Sequence, residues 1–174
     1  MKNVLIIAEP RTGSSNLLNA ISSAYGFKSQ FEPQPKDVLT IPGWVVKVIS
    51  HEHFSLESLV NLVPKFECTI LLSRKNLKEQ YESFWALFNL NGRSPFEKWH
   101  VSKLPVDKDQ FIFRKNYIDK CKVRLKEVSE SVDLPINYYE EVYSKKRTIP
   151  ELKLDLKYLS ATKKCRQEFR SSLI

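Results

Sequence analysis

Short apolar runs alternate with amphipathic stretches along this chain. Val4-Leu5-Ile6-Ile7-Ala8 is apolar throughout and of strand length, and a helical pattern covers Ser14 to Tyr25. Phe27 to Phe31 reads as a short strand. The segment Glu32-Pro33-Gln34-Pro35-Lys36 is a rigid loop, because two prolines exclude helix. Trp44 to Ile49 is a β-branched strand, and Leu56 to Val63 a short helix stopped before Pro64. Glu67 to Ser73 is the next strand and Asn76 to Leu90 its helix. Asn91-Gly92-Arg93-Ser94-Pro95 breaks the chain. Phe111 to Val132 has the pattern of a long basic helix, Leu134 to Tyr138 that of a further strand, and the end from Glu151 on is helical and polar. Strands alternating with helices predict a single α/β three-layer domain over residues 1–174, with a central parallel sheet flanked by helices.

The junction of the first strand and helix carries the first chemistry. Glu9-Pro10-Arg11-Thr12-Gly13-Ser14-Ser15 joins them, which makes a strand–loop–helix phosphate cradle. Backbone N–H groups and the positive end of the helix dipole converge there on one anion. The loop is P-loop-like but misses G-x-x-x-x-G-K-[ST] at two places. Ala8 stands at the first Gly and Ser14 at the Lys. The only cation in the loop is Arg11. A nucleoside triphosphatase needs that Lys on its β- and γ-phosphates, so the loop is built for a different phosphate ester.

A second junction follows Glu67-Cys68-Thr69-Ile70-Leu71-Leu72-Ser73. Arg74 sits at the end of that strand. Asn76 can cap a helix whose apolar positions Leu77, Tyr81, Phe84, Trp85 and Phe88 recur at helical spacing. Ser83 lies about two turns into that helix. Arg74 and Ser83 thus offer a cation and a hydroxyl to a second phosphate. In a parallel sheet, ligands bind beyond the C-terminal strand ends. Both junctions lie there, as do the loops after Phe31 and Ile49.

These residues resemble the sulfotransferases that use 3′-phosphoadenosine 5′-phosphosulfate (PAPS), over the first half of the chain. Pro10 to Ser15 is similar to the loop that binds the 5′-phosphosulfate in that family, in the Arg-containing version of its carbohydrate and bacterial glycolipid branch. Arg74 and Ser83 are similar to the pair that binds the 3′-phosphate, with one residue extra between them; Lys75 would restore the usual interval, so either Arg74 or Lys75 takes the Arg role. The resemblance implies Arg11, Thr12, Gly13, Ser14, Ser15, Arg74 and Ser83 as donor-binding residues. It implies PAPS as co-substrate and no metal. Farther along, Tyr138 and Glu140 fall where relatives end a late strand in Arg-Tyr-Glu, without the Arg, and Lys163, Lys164 and Arg166 fall where relatives carry a basic loop.

Sulfuryl transfer also needs a base for the acceptor's proton. Glu32 lies in Phe31-Glu32-Pro33, which resembles a segment supplying a carboxylate base in carbohydrate sulfotransferases. His51 follows the strand that holds Lys47, an arrangement similar to the aryl and steroid branch, though the four-residue interval from Lys47 to His51 is longer than in that branch. His53 is a weaker version of the same placement. Lys47 can reach the sulfuryl oxygens. The catalytic candidates are therefore Arg11, Glu32, Lys47 and His51. His51-Glu52-His53 has the wrong spacing for two metal ligands on one helix face.

Composition narrows the classes further. Hydrophobic content of 42% and charged content of 28% are those of a globular protein, and no apolar stretch approaches membrane-span length. The start of the chain lacks a signal-peptide pattern. Three widely spaced cysteines, Cys68, Cys121 and Cys165, argue against a disulfide framework and a zinc site and for a reducing compartment, so a cytoplasmic protein is expected. Most of the net charge of +8 falls in residues 111–174. A positive surface attracts an anionic donor, and no nucleic-acid motif accompanies it. The sequence thus predicts a PAPS-dependent sulfotransferase acting on a hydroxyl of a carbohydrate, glycolipid or small metabolite. A small P-loop kinase-like phosphotransferase and a non-catalytic nucleotide-binding relative are the alternatives.

Overall fold

The computed structural model describes residues 2–89 and 108–143. Its sheet is built from β1 (Asn3–Ala8), β2 (Lys28–Phe31), β3 (Trp44–Ile49), β4 (Cys68–Ser73) and β5 (Ile136–Tyr138). All pairings are parallel, in the order β2-β3-β1-β4-β5. The helices are α1 (Ser14–Tyr25), α2 (Leu56–Leu62), α3 (Leu77–Asn89), α4 (Lys108–Val132) and the single turn α5 (Tyr139–Val142). This is the expected α/β three-layer fold.

Every residue of β1 and β4 is buried. That explains their unbroken apolar character, since both faces of a parallel sheet are covered by helices. Alternation then sorts the side chains. Val4, Ile6, Ala8, Val45, Ile70 and Leu72 pack with Leu17, Leu18 and Ile21 of α1. Leu5, Ile7, Val46, Val48 and Leu71 pack with Leu59 and Leu62 of α2 and Leu125 and Val128 of α4. Each fully buried aliphatic side chain contributes about 1.5–3 kcal/mol, so the two layers hold the sheet from both sides. In-register pairs such as Val4↔Val45 and Val4↔Cys68 place β1 in the centre.

The connections explain where the site falls. From β1 the chain turns through α1 towards the β2 edge; from β3 it crosses to β4 through α2 on the opposite face. Adjacent strands whose helices leave to opposite faces open a crevice at their C-terminal ends. The ends of β3, β1 and β4 line that crevice.

The expected elements recur with shifted ends. The short α2 is capped by Ser55, whose Oγ accepts from Ser58 N at 3.1 Å. Gly26 ends α1 in a left-handed conformation, with Phe27 N donating to Ser22 O at 2.9 Å. The long basic helix expected over Phe111 to Val132 is described over Lys108–Val132. The break at Asn91–Pro95, the helix expected from Glu151 and the basic residues Lys163, Lys164 and Arg166 lie outside the described residues. Among the described residues, no helix is long and apolar enough to cross a membrane. One expectation is corrected. Cys121 is free and buried, its thiol pushed up to about 12 chiefly by burial, but Cys68 is disulfide-bonded. A disulfide at Cys68 removes cysteine usage as an argument for a reducing compartment.

Candidate functional site

The loop after β1 is held in a conformation that few residues adopt freely. Arg11 and Gly13 both have left-handed backbones, with φ of 62° and 75°. A non-glycine residue held there costs of order 1 kcal/mol or more, and such strain clusters at functional sites. Thr12 Oγ1 donates to Glu9 O at 2.9 Å and closes the turn. No side chain caps the N-terminus of α1, because Gly13 stands at the cap position. The free N–H groups of that first turn suit an anion.

Gly13 is required for a second reason. A Cβ there would lie 2.8 and 2.9 Å from ring carbons of Tyr139 and 3.0 Å from one of Tyr143. Those two rings pack on each other, 4.6 Å between centroids, and Tyr143 OH donates to Gly13 O at 2.6 Å. Gly13→Ala combines a forbidden φ with this clash. It is expected to destabilise the protein by about 1–3 kcal/mol, read as a lower urea midpoint at unchanged m-value.

Behind the loop lies a polar cluster that sequence reasoning missed. Glu9 is 1% exposed. Its carboxylate accepts from Ser73 Oγ at 2.6 Å, Gln80 Nε2 at 3.0 Å and Lys122 Nζ at 2.8 Å. Gln80 Nε2 also donates to Pro10 O at 2.8 Å, and Lys122 Nζ to Arg74 O at 2.8 Å. One buried carboxylate thus ties the loops after β1 and β4 to α3 and α4. The only sequence signal was a Glu directly after an apolar strand; its lysine partner lies 113 residues away.

Two clusters of predicted residues assemble in front of the loop. In the first, Arg11 Nε donates to Ser83 Oγ at 2.9 Å, across a separation of 72 residues. Arg74 Nη1 approaches Arg11 O at 3.4 Å. Burial and the neighbouring Arg74 both lower the Arg11 pKa from its ordinary value; the guanidinium stays charged at any working pH. In the second cluster, Lys47 Nζ donates to Glu32 Oε1 and, at 3.3 Å, to Ser15 Oγ. Lys47 is 3% exposed and lies over the Phe31 ring, 3.9 Å from its centroid. Burial pulls its pKa below the usual lysine value, while the bond to Glu32 opposes that shift. Glu32 itself has a left-handed φ of 47°.

Arg74 and Lys75 have different surroundings. Arg74 is 7% exposed and beside the loop; its guanidinium pairs with Glu79 and lies 4.7 Å from the Tyr139 ring centroid. Lys75 is exposed and pairs with Glu141. Arg74 therefore stands where a cation could join Arg11 and Ser83. His51 stands apart. Its ring faces Tyr117, 6.5 Å between centroids, and among the described residues no hydrogen bond joins it to Arg11, Lys47 or Glu32. His53 approaches Glu52 at 3.7 Å on the surface. Thr12, Gly13 and Ser14 belong to the turn and to the first turn of α1. Ser15, also in that turn, faces Lys47.

No known family model matches this chain, and no curated protein matches it. The site therefore stands on its geometry. Two cations, a run of uncapped helix N–H groups and a carboxylate meet at the C-terminal strand ends. Such a set can hold a phosphate, stabilise negative charge developing on it, and accept a proton from a second substrate.

Proposed function

We propose that the protein is a PAPS-dependent sulfotransferase acting on an acceptor hydroxyl, of the carbohydrate, glycolipid or small-metabolite class. The observation that carries this reading is the 2.9 Å bond from Arg11 to Ser83. It joins two motifs that were identified separately, at the ends of the adjacent strands β1 and β4. The missing P-loop Lys supports a donor other than a magnesium-bound triphosphate.

When bound, the donor supplies a sulfuryl group on a phosphate oxygen. The first turn of α1 and Arg11 hold that phosphate and stabilise the charge it gains as the sulfur–oxygen bond breaks. Lys47, which donates to Ser15 and Glu32, is assigned to the sulfuryl oxygens. Glu32 accepts the acceptor's proton as the acceptor oxygen bonds to sulfur, so the products are a sulfate ester and a bisphosphate. Glu32 suits this role better than His51 because it already touches Lys47. Arg74 and Ser83 are assigned to the donor's second phosphate.

The test follows radiosulfate leaving labelled PAPS in excess EDTA with acceptors of each class. Transfer should proceed without metal, fall about 10²-fold in Glu32→Gln, and change little in His51→Asn. No transfer to any acceptor class, together with magnesium-dependent phosphate transfer from ATP, would replace this reading by the kinase.

A further inference from the structure

The second phosphate position already holds an anion, and it belongs to the protein. Glu140 lies in α5, yet its carboxylate reaches across to the start of α3. Oε2 accepts from Lys75 N at 2.9 Å and Oε1 from Asn76 N at 2.9 Å. A carboxylate bridging two consecutive N–H groups before a helix takes the place an anionic ligand would take. Arg74 adds an independent sign. It is 7% exposed, and its Nε, 3.7 Å from Glu140 Oε1, has no hydrogen-bond partner. A buried guanidinium nitrogen left in this way is a donor waiting for an acceptor closer than Glu140.

Local charge agrees. Beside Arg74, the ion pairs among the described residues combine two cations, Arg74 and Lys75, with three carboxylates, Glu79, Glu140 and Glu141. Around the first loop, Arg11 lies on Ser83 and Lys47 pairs with Glu32. The carboxylate excess beside Arg74 disfavours a phosphate there while Glu140 stays in place. The two positions are mechanically linked, since Tyr139, next to Glu140, carries Arg74 on its ring and covers Gly13.

We propose that Glu140 is an internal anion that keeps the second phosphate position closed, and that a ligand carrying two phosphates opens it by taking over the N–H groups of Lys75 and Asn76. This rests on the sulfotransferase reading of the same site. It makes occupancy of the second position depend on displacing α5's carboxylate, so a nucleotide with one phosphate leaves the contact closed.

The experiment compares the full chain with Glu140→Gln, titrating each with adenosine 3′,5′-bisphosphate and with adenosine 5′-monophosphate. Removing the competing charge should tighten bisphosphate binding about tenfold and leave monophosphate binding unchanged. Amide shifts of Lys75 and Asn76 in the unaltered protein give a reading independent of the variant's folding. They should move with the bisphosphate and not with the monophosphate. Equal or weaker bisphosphate binding in a folded Glu140→Gln, or amides unmoved at saturating bisphosphate, would overturn the proposal and leave the donor site standing. Absence of bisphosphate binding in both proteins would overturn the donor site and this inference together.

Discussion

Arg11→Ala is expected to lower the transfer rate by about 10²–10³-fold while leaving the fold in place. The guanidinium is the only cation within the loop, and its Nε is aligned by Ser83 Oγ. In the proposed mechanism, the leaving phosphate then loses the one cation assigned to it. Stability should hardly change, for two opposing reasons. The bond to Ser83 is lost, but so are the burial of a charge and its repulsion by the buried Arg74, which together lower the Arg11 pKa. Steady-state kinetics and urea unfolding on the same preparation separate the two effects. Lysine at this position should recover only part of the rate, because an ammonium cannot present a planar fork to Ser83 and a phosphate together. Normal turnover in Arg11→Ala would remove the loop from the mechanism.

Glu9→Ala should be among the most destabilising single substitutions in the described fold, at about 3–5 kcal/mol. It leaves Lys122, Ser73 and part of Gln80 without their shared acceptor in a place where Glu9 itself is 1% exposed. Lys122 retains Arg74 O and Ser73 Oγ and is partly solvated, which favours the lower end. The pair Glu9→Gln with Lys122→Met should cost less than the two single changes added together, since neither then leaves a buried charge unpaired. A double-mutant cycle by urea unfolding reads this directly. Additive effects would mean that Glu9 and Lys122 do not act as a buried pair.

The contrast between these two residues shows what could be read from the chain. The loop that carries Arg11 was legible as a strand–turn–helix junction because a run of five consecutive apolar residues meets Pro, Gly and hydroxyl residues there. The buried strands were legible for the same reason: β1 and β4 are covered on both faces. Ser83 was placed by its distance of about two turns from the start of the helix and by the family resemblance; the apolar spacing was less exact, since Leu77, expected on the inward face, is exposed while Phe84 is buried. Glu9 and Lys122 gave no such signal. A charge after a strand and a lysine in a basic helix look solvated until the topology brings α4 against the ends of β1 and β4. Glu140 was matched only by position, and its hold on the N-terminus of α3 depends on β5 lying beside β4. The left-handed backbone of Glu32 leaves no compositional trace at all, because proline after it constrains it towards extended geometry rather than φ of 47°.

The central claim is that the Arg11 loop and the Arg74–Ser83 pair form one site for a nucleotide with two separate phosphates. Calorimetric titration with adenosine 3′,5′-bisphosphate, beside ATP with magnesium, tests it most directly. The account predicts metal-independent binding of the bisphosphate, lost in Arg11→Ala and in Arg74→Ala, and weaker binding of ATP. Tight magnesium-dependent ATP binding with no binding of the bisphosphate would contradict it.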